Sequence, residues 1–436
     1  MSTLFIRNGH LIDPAQNLDA PGHLLIQDGR IAAIGPDLTA PPEAEIFEAS
    51  GLVVAPGFID IHVHLREPGQ THKETIATGT RAAAAGGFTA VCCMPNTSPV
   101  NDSPMITRFI LDRVRESGLT RVYPIGAITK GSAGETLAEI GGMREAGIVA
   151  ISDDGHPVRN AQVMRRAMEY ACDFGLPVID HCENKDLSAG GVMNEGIYST
   201  LLGLRGMTRA AEEVDVARDI VLAELTGAHV HIAHLSTAGS VNLVRWAKSN
   251  GVRISCEVTP HHFTLTDAAT DGFNTNAKMN PPLRTERDVE ALLEGIADGT
   301  VDVIATDHAP HCGEEKSQDF DSAPFGILGL ESAVSLAIER LYNAKHISLN
   351  RLVDLFSTAP ARLLNLPGGS LRAGQPADVT MLDLTRSVQF QVGQWQSKSH
   401  NSPFDGWQLT GAPVATFIGG KQIFGDDKIL VEGGNL

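Results

Sequence analysis

Aromatic side chains are scarce in this chain, at 5% of its residues, while Gly, Ala, Val and Ile abound, as they tend to in parallel α/β proteins. Nowhere is there an apolar run long enough to cross a bilayer. The N-terminal Met1-Ser-Thr-Leu-Phe-Ile-Arg7 also lacks the apolar stretch of a secretory signal. The six cysteines form no C-x-x-C pair, and Cys92 and Cys93 sit side by side in an apolar run, where buried free thiols are the default. A disulfide framework is excluded, and a reducing, cytoplasmic setting is expected. Positive charge is also short: 34 Lys and Arg stand against 52 Asp and Glu, a formal charge of −18. That balance disfavours nucleic acid or an anionic membrane as partner. A small anionic substrate stays open, because one local Arg can outweigh a distant negative surface.

What is present suits a large soluble enzyme domain with a smaller appendage: 436 residues, 42% hydrophobic and 20% charged. Short strand-and-turn segments open the chain (Leu4-Phe5-Ile6, His23–Ile26, Ile31–Ile34) and close it (Asp378–Leu382, Ala415–Ile418, Gln422–Phe424). Neither end is long enough for its own core, so residues 1–55 and 366–436 are expected to pair into one small β-sandwich domain. Residues 56–365 alternate. Strands are expected at Phe58–His64, Thr89–Met94, Val122–Ile128, Ile148–Asp153, Pro177–His181, His229–His234, Arg253–Val258 and Val301–Thr306. Helical stretches such as Glu74–Ala85, Gln162–Phe174, Arg209–Leu225 and Glu286–Ala297 lie between them. Roughly eight βα units predict an α/β fold built on a (β/α)₈ barrel. A doubly wound sheet would call for a Gly-rich phosphate loop after its first strand, and there is none.

The most informative stretch is Gly57-Phe-Ile-Asp-Ile-His-Val-His-Leu-Arg66. In a strand, residues two apart share a face, so His62 and His64 can grip one metal ion from one side, with Ile59, Ile61, Val63 and Leu65 on the other. Satisfied core histidines are the plain alternative. Against it, Asn96, Asp153, Asp154, His181, His234, Asp307, His308 and His311 all fall at strand C-termini, where barrel active sites are built. Four His and an Asp (His62, His64, His181, His234, Asp307) exceed the needs of one tetrahedral ion, so two ions and a bridging carboxylate are expected. Asp153 and Asp154 are the candidates for the bridge, with Asp154 preferred. His229 and His231 have the parity opposite to His234 and are expected to face away from the barrel interior. His261 and His262 follow the seventh strand in a loop that is as readily structural as functional.

Together, Asp60-Ile-His-Val-His-Leu-Arg-Glu-Pro-Gly69, Met94-Pro-Asn-Thr97, Ser152-Asp-Asp-Gly155, His181-Cys-Glu-Asn184, Asn280-Pro-Pro-Leu-Arg284 and Thr306-Asp-His-Ala-Pro-His311 resemble the motifs of the amidohydrolase superfamily. Within it they resemble the dihydroorotase family, of the type with an Asp bridge. The H-x-H signal is common to the superfamily; its combination with Arg66, Asn96, Asn280 and His311 is far more specific. The resemblance implies that His62, His64 and Asp307 hold one zinc, that His181 and His234 hold a second, and that Asp154 bridges them. Relatives that open other cyclic amides often bridge with a carboxylated lysine from the fourth strand. Here the nearest lysine is Lys130, at the end of the third, which argues against a hydantoinase or dihydropyrimidinase.

The implied reaction is the reversible hydrolysis of the cyclic amide of dihydroorotate to N-carbamoyl-L-aspartate, with ring closure the pyrimidine-biosynthetic direction. Asp307 would move the proton. Arg66 offers a planar fork for the substrate carboxylate, the alternative being a salt bridge with Glu67. Asn96 and His311 would complete that carboxylate site, with His64 shared between metal and substrate. Asn280 and the backbone of Phe325-Gly326 would hold the ring amides. The alternatives are another cyclic-amide hydrolase, such as an allantoinase or hydantoinase, or an inactive scaffold for aspartate carbamoyltransferase. Family habit implies a homodimer and possible association with that carbamoyltransferase. The polar, acidic stretch Gly313–Pro324 is expected to be a mobile lid.

Overall fold

The computed structural model describes residues 3–434. Both chain ends contribute to one nine-stranded sheet. Thr3–Asp13, Leu18–Gln27 and Arg30–Gly35 pair in antiparallel succession, and Glu45–Glu48 and Val53–Pro56 lie parallel to Thr3–Asp13. The C-terminal strands join through an antiparallel ladder that sets Val379 opposite Pro56 and Leu382 opposite Val53. Residues two apart bury one face: Leu4 and Ile6, Leu24 and Ile26, Val379 and Met381, and Ala415 and Phe417 form a single cluster. On the other face, Ile12, Val53, Ala55 and Leu382 join the main core beside Phe58 and Phe356.

The middle of the chain is parallel. Phe58–Val63, Phe88–Cys93 and Arg121–Pro124 form one ladder, and Val178–Asp180, Val230–Ile232, Ile254–Val258 and Val303–Ile304 another. Single parallel bridges link the two: Gly126 to Ile151 to Val178 on one side, and Val63 to His308 on the other. The expected fourth strand, Ile148–Asp153, is reduced to Ile151 alone. Beyond it the chain turns away, because Asp153 accepts hydrogen bonds from the amides of Ile128 (2.8 Å) and Thr129 (3.1 Å).

Helices cover these strands with apolar faces spaced three or four residues apart. Met164 and Met168, Val216 and Ile220, Val241 and Val244, and Leu292 and Ile296 are fully or almost fully buried in one cluster with Val91, Val178, Val230 and Val258. Each large side chain so buried contributes about 1.5–3 kcal/mol. The helix Ile76–Ala85 starts cleanly because Thr75 and Thr78 form a reciprocal cap.

Simple alternation along Phe58–Val63 does not hold. Ile59 and Ile61 pack in a second cluster with Ala90, Ile179 and Ala233, whereas Val63 and Leu65 join the helix-facing core. The ladder register slips between Asp60 and Val63, and this slip divides the apolar residues. Between the long strands Val379–Gln389 and Gln408–Ile418, the chain leaves the terminal sheet altogether. Phe390 and Phe404 pack instead with Met279, Leu283, Ile327 and Leu336.

Candidate active site

The C-terminal ends of the parallel strands surround a cavity of about 490 Å³ lined by His64, Arg66, Asn96, Asp154, His181, His234, Asn280, Asp307, His311, Phe325 and Gly326. His62 lies directly beneath, fully buried. Three of these residues hold left-handed backbone conformations that L side chains rarely adopt: Arg66 (φ 60°), His234 (φ 33°) and Asp307 (φ 48°). Strained backbone of this kind persists where the surroundings over-determine it. Each of the three lies two or three residues past the end of its strand and lines the cavity.

Hydrogen bonds to the far ring nitrogens orient three of the imidazoles. His62 Nδ1 faces Glu257 Oε1 at 2.6 Å, His64 Nδ1 faces Asn96 Oδ1 at 2.8 Å, and His181 Nε2 faces Glu183 Oε2 at 2.9 Å. Each far nitrogen therefore donates, leaving a lone pair on the near one. His62 Nε2 has no hydrogen-bond partner and lies 3.3 Å from Asp154 Oδ1 and 3.5 Å from Asp307 Oδ1. His64 Nε2 is 3.0 Å from Asp307 Oδ1 and 3.5 Å from Asp154 Oδ2. His181 Nδ1 is 2.9 Å from His234 Nε2, and each nitrogen lies within 3.9 Å of Asp154 Oδ1. Asp154 thus stands between the two histidine pairs. Asp153 points away, and the Thr129 hydroxyl also donates to it.

This donor set suits divalent cations. His62, His64 and Asp307 form one group whose ligating atoms lie within 4.8 Å of one another, and His62, Asp154 and His234 form another. The electrostatics point the same way. Burial opposes charge on Asp307, yet the imidazoles of His62 and His64 hold it below the ordinary carboxylate range. Asp154 is likewise held well below it, against burial, chiefly by His62 and His234. Burial pulls His62 down, but the carboxylates of Glu257 and Asp154 outweigh it and raise it well above the ordinary imidazole range. Buried carboxylates facing an unpartnered imidazole nitrogen are a place for a cation.

On one wall, Arg66 is 8% exposed, with Nε donating to Pro310 O (3.2 Å) and Nη2 to His311 Nε2 (3.3 Å). Burial lowers it to about 10, so it remains a cation at neutral pH. Burial, with Arg66 beside it, pushes His311 down to about 2 and keeps it neutral. Glu67 does not pair with Arg66; it accepts from Arg113 (3.0 Å) and from the Ile76 amide (3.0 Å). Across the cavity, Asn280 Nδ2 donates to Glu183 Oε2 at 2.9 Å.

His229 and His231 do not face away. Both ring systems meet Ser255 Oγ at 2.8 Å, and His231 Nε2 lies 3.2 Å from Glu257 Oε2, on the same side as His62. The regular strand ends at Ile232, and the left-handed turn at His234 undoes the parity from which their orientation was expected. Glu257 and Glu183 are the groups that motif reasoning left without a role. An acid between Cys256 and Val258 in a fully buried strand was the available signal for Glu257. His262 is structural, held by Thr259 Oγ1 (2.8 Å) and Pro281 O (2.9 Å). The expected lid is tethered: Lys278 Nζ donates to the carbonyls of Phe320, Asp321 and Ala323, and Lys316 Nζ to those of Pro324 and Gly326.

A family model described as Dihydro-orotase-like matches residues 51–240. A dihydroorotase of Solibacter usitatus (strain Ellin6076) is 54% identical over 417 residues, covering 96% of this chain and 97% of its own. One of Pelotomaculum thermopropionicum is 54% identical over 423 residues, covering 97% and 99%. The chain belongs to the dihydroorotase family. Among solved structures, L-hydantoinase (dihydropyrimidinase) from Arthrobacter aurescens superposes with a TM-score of 0.89 at 25% identity, over 100% of this chain and 98% of that one. D-hydantoinase (dihydropyrimidinase) from Thermus sp. does so with a TM-score of 0.83 at 27% identity, covering 99% and 97%. This dihydroorotase family member therefore shares its mixed α/β fold with enzymes that open other cyclic amides, while its sequence relatives carry the narrower name.

Proposed function

We infer that the chain is a dihydroorotase whose cavity opens and closes the cyclic amide of L-dihydroorotate, with N-carbamoyl-L-aspartate as the open form. The single observation that carries the site assignment is the meeting, in one cavity, of the histidine–aspartate cluster with the buried Arg66–His311 pair. A hydantoinase substrate has no carboxylate for a buried guanidinium to match. Lys130, the nearest lysine in sequence to the bridging position, is exposed and lies outside the cavity.

His62, His64 and Asp307 would hold one zinc ion and His181 and His234 a second, with Asp154 shared between them. Ions bound there would supply Lewis-acid polarisation of the amide carbonyl and an acidified water at neutral pH. Asp307 Oδ1, between the imidazoles of His62 and His64, takes the water's proton and passes it to the departing ring nitrogen. Arg66 binds the substrate carboxylate in bidentate fashion, flanked by His311 and Asn96. Asn96 also fixes His64 through its Oδ1 and reaches Asp154 Oδ2 at 3.3 Å through its Nδ2. Asn280 and the backbone of Phe325-Gly326 face the ring amides.

The wider architecture is read as a (β/α)₈ barrel, residues 56–365, with the terminal sheet as a second domain. The second apolar cluster supports this reading: Ile59, Ala90, Ile125, Ala150, Ile179, Ala233 and Val303 each come from a different parallel segment, as in a barrel interior. Self-association as a homodimer is part of the proposal, supported by Val221, Leu225 and Trp246, which are exposed on neighbouring helices.

The test compares L-dihydroorotate with hydantoin and dihydrouracil in the wild type and in Arg66→Lys. The wild type is expected to prefer dihydroorotate. Loss of the bidentate fork in Arg66→Lys raises KM for dihydroorotate by about ten- to a hundred-fold. Faster turnover of hydantoin, or an unchanged KM in the variant, would overturn the assignment.

A further inference from the structure

The segment that leaves the terminal sheet runs past the cavity wall. Residues 396–401 are laced down along their length. The amides of Gln396 and Ser397 donate to the carboxylate of Glu331 at 2.9 and 3.1 Å, and Ser397 Oγ donates to Glu74 Oε2 at 2.5 Å. The Lys398 amide donates to Glu74 Oε1 (3.2 Å), and Ser399 Oγ to Lys73 O (2.7 Å). The strap ends at Asn401, 3% exposed, with every hydrogen-bonding group of its side chain engaged. Its Oδ1 accepts from the amide of His311 at 3.0 Å. Its Nδ2 donates to the carbonyls of Ala309 (2.9 Å) and Gly326 (3.1 Å).

These three partners belong to the two stretches that wall the substrate site. His311 carries the ring beside Arg66, and Gly326 lies in the backbone facing the ring amides. Gly326 has φ 116°, and a Cβ there would come within 2.6 Å of Ala309 Cβ, so the two stretches approach closely. One side chain thus sets their spacing and the height of the His311 backbone. It must both accept from an N–H and donate to two carbonyls, which an amide can do and a carboxylate cannot.

We propose that Asn401 is a positioning residue for the substrate-carboxylate subsite, holding His311 and Gly326 in register from the C-terminal strap. The inference rests on the reading that Arg66 and His311 receive the substrate carboxylate. Displacing His311 would also displace the Arg66 guanidinium, which donates to its ring.

The experiment is steady-state turnover of L-dihydroorotate by zinc-loaded Asn401→Ala and Asn401→Asp, with Arg66→Met in the same assay. Loss of the brace is expected to raise KM about ten-fold in both Asn401 variants while kcat stays within about three-fold. Asn401→Asp should rescue nothing, since it cannot donate to the carbonyls. Hydrogen exchange at the His311 amide should accelerate in Asn401→Ala. If Asn401→Ala fails to fold, Asn401→Ser is held to the same criteria. An unmoved KM in the Asn401 variants, with Arg66→Met raising it, overturns the positioning role alone. A fall in kcat with KM unmoved does the same, because a merely structural defect reads that way. An unmoved KM in Arg66→Met overturns the subsite itself, and the inference with it.

Discussion

At the residue scale the site depends on groups that touch no substrate. Glu257 is buried between His62 and His231 and is pushed down to about 2, because burial is outweighed by His62 and His231. Its carboxylate fixes the His62 tautomer with the Nε2 lone pair facing Asp154 and Asp307. Glu257→Gln is expected to weaken zinc binding by about ten- to a hundred-fold, the usual scale for such supporting partners, as measured by competition with a chromophoric chelator. Unchanged affinity would remove Glu257 from the site. Five donors fall in the two close groups, His62, His64, Asp154, His234 and Asp307, and His181 lies against His234; all six could be singled out in the sequence because metal chemistry demands particular residue types at strand ends. The choice between Asp153 and Asp154 was not legible, since both are carboxylates one residue apart. Only the backbone turn that hands Asp153 to the amides of Ile128 and Thr129 separates them.

At the scale of elements, periodicity located the helices closely: Glu286–Ala297 was expected and observed, and Arg209–Leu225 was observed as Ala210–Thr226. It failed where strands end. The register slip after Asp60 divides the apolar residues of its strand between two clusters, and the left-handed turn at His234 undoes the parity expected for His229 and His231; alternation carries no information about either. Composition has a different blind spot: the polar, acidic character of Gly313–Pro324, expected to be a mobile lid, does not reveal that two lysines hold carbonyls within and beside it. Lys316 gives that tether a pH signature, because burial lowers it to about 7, far below the ~10.4 of an exposed lysine. Below about 7 both folded and unfolded chains carry the proton. Between about 7 and 10 the unfolded chain still binds it and the folded chain does not, so folded-state stability rises with pH across that window. The difference in urea-unfolding free energy between wild type and Lys316→Met is therefore expected to shift toward the wild type from about pH 7 to 9.5. A pH-independent difference would mean that Lys316 stays charged in place.

At the scale of the whole molecule, the sheet built from both chain ends and the parallel strands share one core, and the strap returns from that sheet to the cavity. A pattern of short strands at the two ends was enough to expect their pairing. It could not show that residues 390–407 would desert the sheet, because Phe390 and Phe404 look like any other buried strand residues until their partners are known. Cations bound by groups from opposite sides of the parallel strands should stabilise the entire fold. Removing them with a chelator is expected to abolish activity and to lower Tm, and binding at about a hundred times Kd corresponds to about 2.7 kcal/mol. Re-addition of zinc should restore both, and an unchanged Tm would argue that the cluster holds no ion.

The most direct test of the central claim is turnover of L-dihydroorotate by the zinc-loaded chain beside Asp307→Ala. The site predicts ready ring opening by the wild type and loss of at least about 10³-fold in kcat in the variant, which removes both a ligand and the proton carrier. Comparable turnover by the two proteins would contradict the account, because Asp307 is assigned both a metal-ligand position and the proton transfer.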